Sequence, residues 1–350
     1  MVTLQIISFQ SCGKTALCAG IGKKLIDSGK RVGYLKPIHV IAEGDIPDCQ
    51  DAVFIRDAFE LIESREQICP IHLTQQDLWR NLTEDEENFS QRVKAALEQV
   101  SSARDVILME GPGNLEGDKV AALACYTLAE RLDARVIMLL CYSSGFKNEE
   151  AIQIAKKLGQ RLLGVVINEV PGVKLNRVQA EAADYFKGQG ITVMAVLPES
   201  RTLLGVSVAE LAEALGGEII TSQDRGNDLV ENIMLGAMTP DSGRDYFNLK
   251  KNKAVITRSE RADMMLAALE TSTRCLVVSK GKPSASVMVK ADDKHVPIML
   301  VNRDINEIVT GIGKALEQTR FQNQQKLRTM VGLLEGKLDF KYLQQILGLN

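Results

Sequence analysis

What this chain lacks narrows it before any motif is read. No apolar run approaches the ~20 residues of a membrane-spanning helix; the longest, 136–142 and 162–167, fall far short. No basic region followed by an apolar stretch precedes the first strand-like run, so a secretory leader is not expected and a soluble cytoplasmic protein is. Net positive charge is also absent, with 42 Lys and Arg against 45 Asp and Glu and a formal charge of −3. Aromatics make up only 5% of the chain and nowhere alternate with a Lys/Arg block. A nucleic-acid partner needs a positive field along its phosphates, so none is expected. The cysteines, seven in all, are odd in number, scattered and without a C-x-x-C pair, so zinc, iron–sulfur and disulfide frameworks are not expected. What remains, 45% hydrophobic and 25% charged, is globular composition, and 350 residues suit two domains.

The most informative stretch that is present is Ser8-Phe9-Gln10-Ser11-Cys12-Gly13-Lys14-Thr15. It lies between a strand-like apolar run at 4–7 and a helix-like run at 16–28. In that setting the backbone N–H groups of Ser11, Cys12, Gly13, Lys14, Thr15 and Ala16 are placed to hold phosphate oxygens. Lys14 reaches the β- and γ-phosphates as a mobile charge, and the Thr15 hydroxyl joins a Mg²⁺ shell. The pattern departs from G-x-x-x-x-G-K-[ST] at its first position, where Ser8 replaces glycine and loses some φ freedom. Cys12 reads in two ways: a thiolate favoured by the helix N-terminus and Lys14, or a small residue fitting a tight loop.

The first ~220 residues alternate short apolar runs with helical patterns, which predicts βαβ units on a doubly wound parallel sheet. Strands are expected at 3–7, 32–35, 106–109, 136–140, 163–167 and 192–197, and helices at 15–28, 51–60, 84–99, 119–132, 148–158 and 176–188. The strands are non-alternating and rich in Val, Ile and Leu, as befits burial on both faces. The polar segment 221–227 reads as a linker to a second, smaller αβ unit, with strands near 254–257, 275–279 and 297–301, helices near 261–270 and 305–317, and a turn at 238–243. An amphipathic tail, 324–347, reads as a helix packing on its own domain. The expected division is 1–220, 221–325 and 326–350.

A triphosphate site needs carboxylates to hold its metal. Glu110 ends a buried strand and opens Glu110-Gly111-Pro112-Gly113, where a carboxylate at a strand end implies a partner and Gly111 lets backbone approach a ligand. Asp51, at a helix start, reads either as a second metal ligand or as an N-cap. Lys36 follows the second strand and points to the same crevice, where it would hold a carboxylate or a phosphate. Asn168 closes another strand and offers an amide suited to a purine edge.

Together, Gly13-Lys14-Thr15, Lys36-Pro37, Asp51, Glu110-Gly111 and Asn168 resemble dethiobiotin synthetase, a P-loop enzyme using ATP, Mg²⁺ and CO₂. The resemblance implies that Thr15, Asp51 and Glu110 hold the metal, Lys14 binds phosphate, Lys36 holds the reacting carbamate and Asn168 reads the purine. Where that family carries acidic residues in the phosphate loop, this chain has Phe9, Gln10 and Ser11.

A resemblance covering about 1–320 takes in both halves. Arg161-Leu162-Leu163-Gly164-Val165-Val166-Ile167-Asn168-Glu169-Val170-Pro171, Leu197-Pro198-Glu199-Ser200-Arg201-Thr202-Leu203, Val230-Glu231-Asn232-Ile233-Met234-Leu235-Gly236-Ala237-Met238 and Val255-Ile256-Thr257-Arg258-Ser259-Glu260-Arg261-Ala262-Asp263 carry it. These are similar to the N-terminal, non-catalytic part of long bacterial phosphotransacetylases and to stand-alone proteins in which a P-loop domain precedes a DRTGG domain. The family's Gly-Asp-Arg turn is here Ser259-Glu260-Arg261. Acetyl-phosphate formation is not expected from this chain by itself.

Three function classes follow: a regulatory nucleotide-binding protein, an ATP- and Mg²⁺-dependent ligase or carboxylase on a small carboxylate or amine, and a scaffold without nucleotide turnover. The region 221–325 has no His–carboxylate or Cys–His constellation, which favours sensing over chemistry there. The apolar helical residues Met264, Met265, Leu266 and Leu269 suggest a two-fold homodimer.

Overall fold

The computed structural model describes residues 1–43, 49–142, 146–237, 243–317 and 320–349. It divides into two compact units, residues 1–199 with 321–350, and residues 200–320. The first unit contains strands β1 (Val2–Ser8), β2 (Val32–Leu35), β3 (Ile38–Ile41), β4 (Ile71–Thr74), β5 (Val106–Glu110), β6 (Arg135–Cys141), β7 (Leu162–Val170) and β8 (Val193–Pro198). The six expected strands assemble as one parallel sheet in the order β2-β5-β1-β6-β7-β8. Their residues are almost wholly buried, as helices on the sheet require. Those helices are α1 (Lys14–Asp27), α2 (Gln50–Ala58), α3 (Arg65–Ile68), α4 (Gln75–Thr83), α5 (Glu86–Val100), α6 (Lys119–Arg131), α7 (Glu149–Leu158) and α8 (Leu175–Lys187).

Chain order explains where a ligand would sit. After β1 the sheet grows to one side through β2 and β5, then crosses to the other side of β1 with β6. The loop after β1 therefore opens at the point where the winding reverses, the place where ligands bind in such sheets. The short pair β3 and β4 was not expected. It forms a separate two-stranded parallel sheet in which His39 lies opposite His72.

The second unit holds β9 (Val206–Ser207), β10 (Glu218–Ile219), β11 (Leu229–Val230), β12 (Asn232–Leu235), β13 (Lys253–Arg258), β14 (Thr273–Ser279) and β15 (Ile298–Val301). Its helices are α9 (Arg201–Leu204), α10 (Val208–Leu215), α11 (Gly243–Asn248), α12 (Ala262–Leu269), α13 (Ala285–Asp293) and α14 (Ile305–Glu317). Its main sheet runs β10-β15-β14-β13-β12, with β12 to β15 parallel. Segment 221–227 is not a linker. Thr221 is buried, its hydroxyl donates to the Val296 carbonyl at 3.1 Å and accepts from the Ile298 N–H at 2.8 Å, so it is stitched to the edge of β15. The expected turn at 238–243 lies, up to residue 242, outside the described residues. Met264, Met265 and Leu269 are buried in the unit's own core with Leu266 packed against it, so they are not a spare apolar face for a second copy.

The tail forms α15 (Gln324–Leu334) and α16 (Phe340–Ile346), and it belongs to the first unit. Met330 and Leu334 lie over α1 at Gly20, where an added Cβ would stand 2.8 Å from both side chains, so glycine permits the close approach. Among the described residues no helix is long and apolar enough to cross a membrane.

Candidate functional site

The phosphate loop begins in the last residue of β1. Ser8 is part of the extended strand and is not among the residues with positive φ, so a serine is accepted where the motif has glycine. Its hydroxyl donates to the Gln10 carbonyl, which tightens the turn. The demanding position is Gly13, the N-cap of α1, at φ 88° and ψ 36°, left-handed backbone that glycine adopts without penalty. Asn168, from the end of β7, is buried and donates its amide to the Cys12 carbonyl at 2.8 Å, bracing the loop from across the sheet. That amide thus has a partner inside the protein. Contact with Cys141, together with burial, pushes the Cys12 thiol well up, so it stays protonated and the thiolate reading fails.

The centre of the site is Glu110, 2% exposed at the end of β5. Thr15 Oγ1 donates to its Oε1 at 2.9 Å, Tyr34 Oη donates to its Oε2 at 2.9 Å, and Lys36 Nζ stands 3.9 Å from Oε1. Burial raises the carboxyl's pKa, but Lys36, Lys14 and the two hydroxyl donors outweigh it and hold it below the usual carboxylate range. Lys14 donates to the Gly113 carbonyl, and burial pulls its ammonium pKa down while Glu110 pulls it back up. Asp51 lies in the first turn of α2. Its charge, with burial and the nearer Glu110 ahead of it, contributes to raising the Tyr34 phenol.

Gly111 serves packing. Its N–H donates to the Ile6 carbonyl at 2.9 Å, and a Cβ there would stand 3.0 Å from Ile7 and 3.2 Å from the Cys125 sulfur. Two further groups escaped the sequence reading. Tyr34 sits on a doubly buried strand, where its hydroxyl had to find a partner, and that was the available signal. Glu169, at φ 60°, accepts a hydrogen bond from Cys141 at 3.1 Å. Burial first, then Cys141 and the charge of Glu199, push its carboxyl up from 4.5 to about 7.

This yields a pH prediction. A carboxyl raised on folding contributes stability that is complete below its unfolded value and is lost as pH rises through the folded one. Between pH 4.5 and about 7, wild type should lose thermal stability relative to Glu169→Gln, which keeps a neutral side chain of the same shape. Melting curves that run parallel across that window would refute the assignment.

In the second unit, the loops after β13 and β14 meet: Ser259 Oγ donates to the Lys280 carbonyl at 2.8 Å, and Gly281 follows at φ 114°. Arg261 and Asp263 close the same turn with a 2.9 Å ion pair.

A Gly-Lys-Thr loop between a central parallel strand and a helix, with a buried carboxylate accepting from the threonine, defines a P-loop nucleotide-binding fold. A family model described as "AAA domain" matches residues 8–206, and one described as "DRTGG domain" matches 210–315. The chain belongs to the AAA domain family, with a DRTGG domain following. The phosphate acetyltransferase of Pseudomonas aeruginosa is 21% identical over an alignment covering 96% of this chain and 50% of that protein. The chain thus spans about half the length of that curated relative. The ATP-dependent dethiobiotin synthetase of Methanococcus vannielii is 28% identical over 46% of this chain and 75% of that protein, which lies in the P-loop half. Among solved structures, the MinC:MinD cell division complex of Aquifex aeolicus is 18% identical, with 58% of this chain and 84% of that chain covered and a TM-score of 0.37.

Proposed function

We propose that the first unit binds MgATP and that the chain acts as a nucleotide-responsive regulatory protein, with the second unit as its sensor module. The observation that carries this is the convergence of Thr15, Lys36 and Tyr34 on the buried Glu110, beside a loop whose Gly13 holds the left-handed turn. Thr15 and Glu110 bring two hard oxygen donors to one point, which suits Mg²⁺, and Asp51 is the third candidate. Bound Mg²⁺ neutralises phosphate charge. Lys14, now on the Gly113 carbonyl, would exchange that partner for phosphate oxygens.

The test separates metal from nucleotide. Glu110→Gln should fold and bind ATP weakly, with the Mg²⁺ dependence of affinity removed, and Asp51→Asn should have a smaller effect. A Glu110→Gln protein that keeps the wild-type Mg²⁺ dependence would dismiss the metal assignment.

A ligase or carboxylase reading is favoured by one observation, the placement of Lys36 at 3.9 Å from Glu110, where an ammonium can hold a carboxylate or carbamate. Sustained ADP release with bicarbonate and a small amine would select it. Binding without turnover supports the regulatory reading.

A further inference from the structure

We propose that His39, Cys49, Cys69 and His72 form a Cys₂His₂ site for a tetrahedral cation of the zinc class, distinct from the phosphate site. The four residues come from four places: His39 from β3, His72 from β4, Cys49 as the N-cap of α2 and Cys69 as the C-cap of α3. Parallel register sets His39 directly opposite His72, which puts both imidazoles on one face of the pair. The two sulfurs are buried, at 1% and 0% exposure, and Cys49 Sγ lies 3.0 Å from His39 Nδ1 and 3.9 Å from His72 Nδ1. One donor atom from each of the four residues falls within 4.8 Å of all the others. Metal–sulfur bonds of about 2.3 Å and metal–nitrogen bonds of about 2.0–2.1 Å at tetrahedral angles separate donors by roughly 3.3–3.8 Å, so small side-chain rotations suffice.

Donor chemistry selects the ion. Two thiolates and two imidazoles favour zinc over magnesium or calcium, and two thiolates neutralise a divalent charge, which makes the burial tolerable. The local fold also has use for a cross-link. β3 and β4 are four residues each in a two-stranded sheet, and α3 is a four-residue helix, elements too short to hold themselves.

The structure joins Cys49 and Cys69 as a disulfide across 20 residues, which corrects the expectation that none forms. Disulfide and metal are alternative states of one sulfur pair. A dithiol reductant supplies two electrons and two protons to the disulfide and becomes a disulfide itself. Zn²⁺ then displaces both thiol protons to solvent. The remaining described cysteines, Cys12, Cys18, Cys125, Cys141 and Cys275, are buried thiols, as in a chain that does not depend on disulfides.

The full chain, reduced with dithiothreitol, passed through a desalting column without oxygen and titrated with Co²⁺, is the experiment. The expected result is about one cobalt per chain, with the intense visible bands of tetrahedral coordination and a thiolate charge-transfer band, both abolished by Zn²⁺ addition. His72→Ala and Cys69→Ser should each lose the tetrahedral spectrum. If either variant fails to fold, the wild-type spectrum and its displacement by Zn²⁺ decide alone. Weak octahedral bands, bands unchanged in both variants, or a Cys49–Cys69 disulfide that survives the reductant with no cobalt uptake would each overturn the proposal.

Discussion

Lys14→Ala should weaken MgATP binding at least tenfold in calorimetry while leaving the thermal unfolding midpoint of the apo-protein nearly unchanged. The lysine donates its bond to the carbonyl of Gly113, an exposed residue, so water can satisfy that acceptor when the ammonium is gone. Glu110 loses one of its two cationic neighbours but keeps Lys36 and the Thr15 and Tyr34 hydroxyls, so the cost in the apo-protein is small. With nucleotide present the same ammonium would face phosphate oxygens, and a charge-assisted bond of that kind is worth about 1.5–3 kcal/mol, or roughly a factor of ten or more in affinity. The two measurements together make the result specific: lost affinity with intact folding is the signature of a ligand contact. Equal affinity in wild type and variant would remove the central claim of nucleotide binding through this loop.

Removal of residues 321–350 should destabilise the P-loop unit severely, although those residues lie far from the loop in sequence. Leu327, Met330, Leu334, Leu338 and Leu343 are 0–4% exposed, and α15 lies along α1, the helix that begins at Lys14. Burial of each such side chain contributes about 1.5–3 kcal/mol, so the segment contributes on the order of 10 kcal/mol, comparable with the whole stability of a domain. Polar contacts add register. Lys24 pairs with Glu335 at 2.9 Å, Gln344 donates to the Ser28 hydroxyl at 2.9 Å, and the Phe54 and Phe321 rings meet edge to face at 5.8 Å. The truncated chain should precipitate or unfold without a cooperative transition. Should it instead melt cooperatively at the full-length temperature, the tail is dispensable. Met330→Ala in the full chain is the graded version, with a loss of about 2–5 kcal/mol expected for a fully buried methionine.

The same tail shows how far the sequence carries. Its amphipathic spacing announced helical structure with a buried face, because that spacing follows from 3.6 residues per turn and needs no knowledge of the partner, although the single helix expected over 324–347 is two, α15 and α16, broken at 335–339 where Gly336 takes φ 70°. Which surface takes that face is a matter of where the chain returns after the second unit, and no local pattern encodes it. The main sheet was legible for the same local reason: six non-alternating apolar runs, separated from one another by helical patterns, leave few arrangements open. Gly13-Lys14-Thr15 and Glu110 could be placed because strand–loop–helix geometry is local and because a carboxylate at the end of a buried strand needs a partner.

Tertiary structure alone decided the rest. Tyr34 and Lys36 reach Glu110 because β2 and β5 are neighbours, a pairing across some seventy residues. Asn168 braces Cys12 from across the sheet, and Thr221 became an edge stitch instead of a linker through bonds to 296 and 298. His39 and His72 oppose each other only by virtue of register in a strand pair too short to show a period, and Cys49 and Cys69, at the caps of α2 and α3, bring their sulfurs within 4.8 Å of them. Composition and periodicity fix which segments are helix, strand and phosphate loop, since those depend on neighbours in the chain. Which side chains meet is set by strand order and by the path of the chain back onto α1, and both are chosen by the packing of the whole.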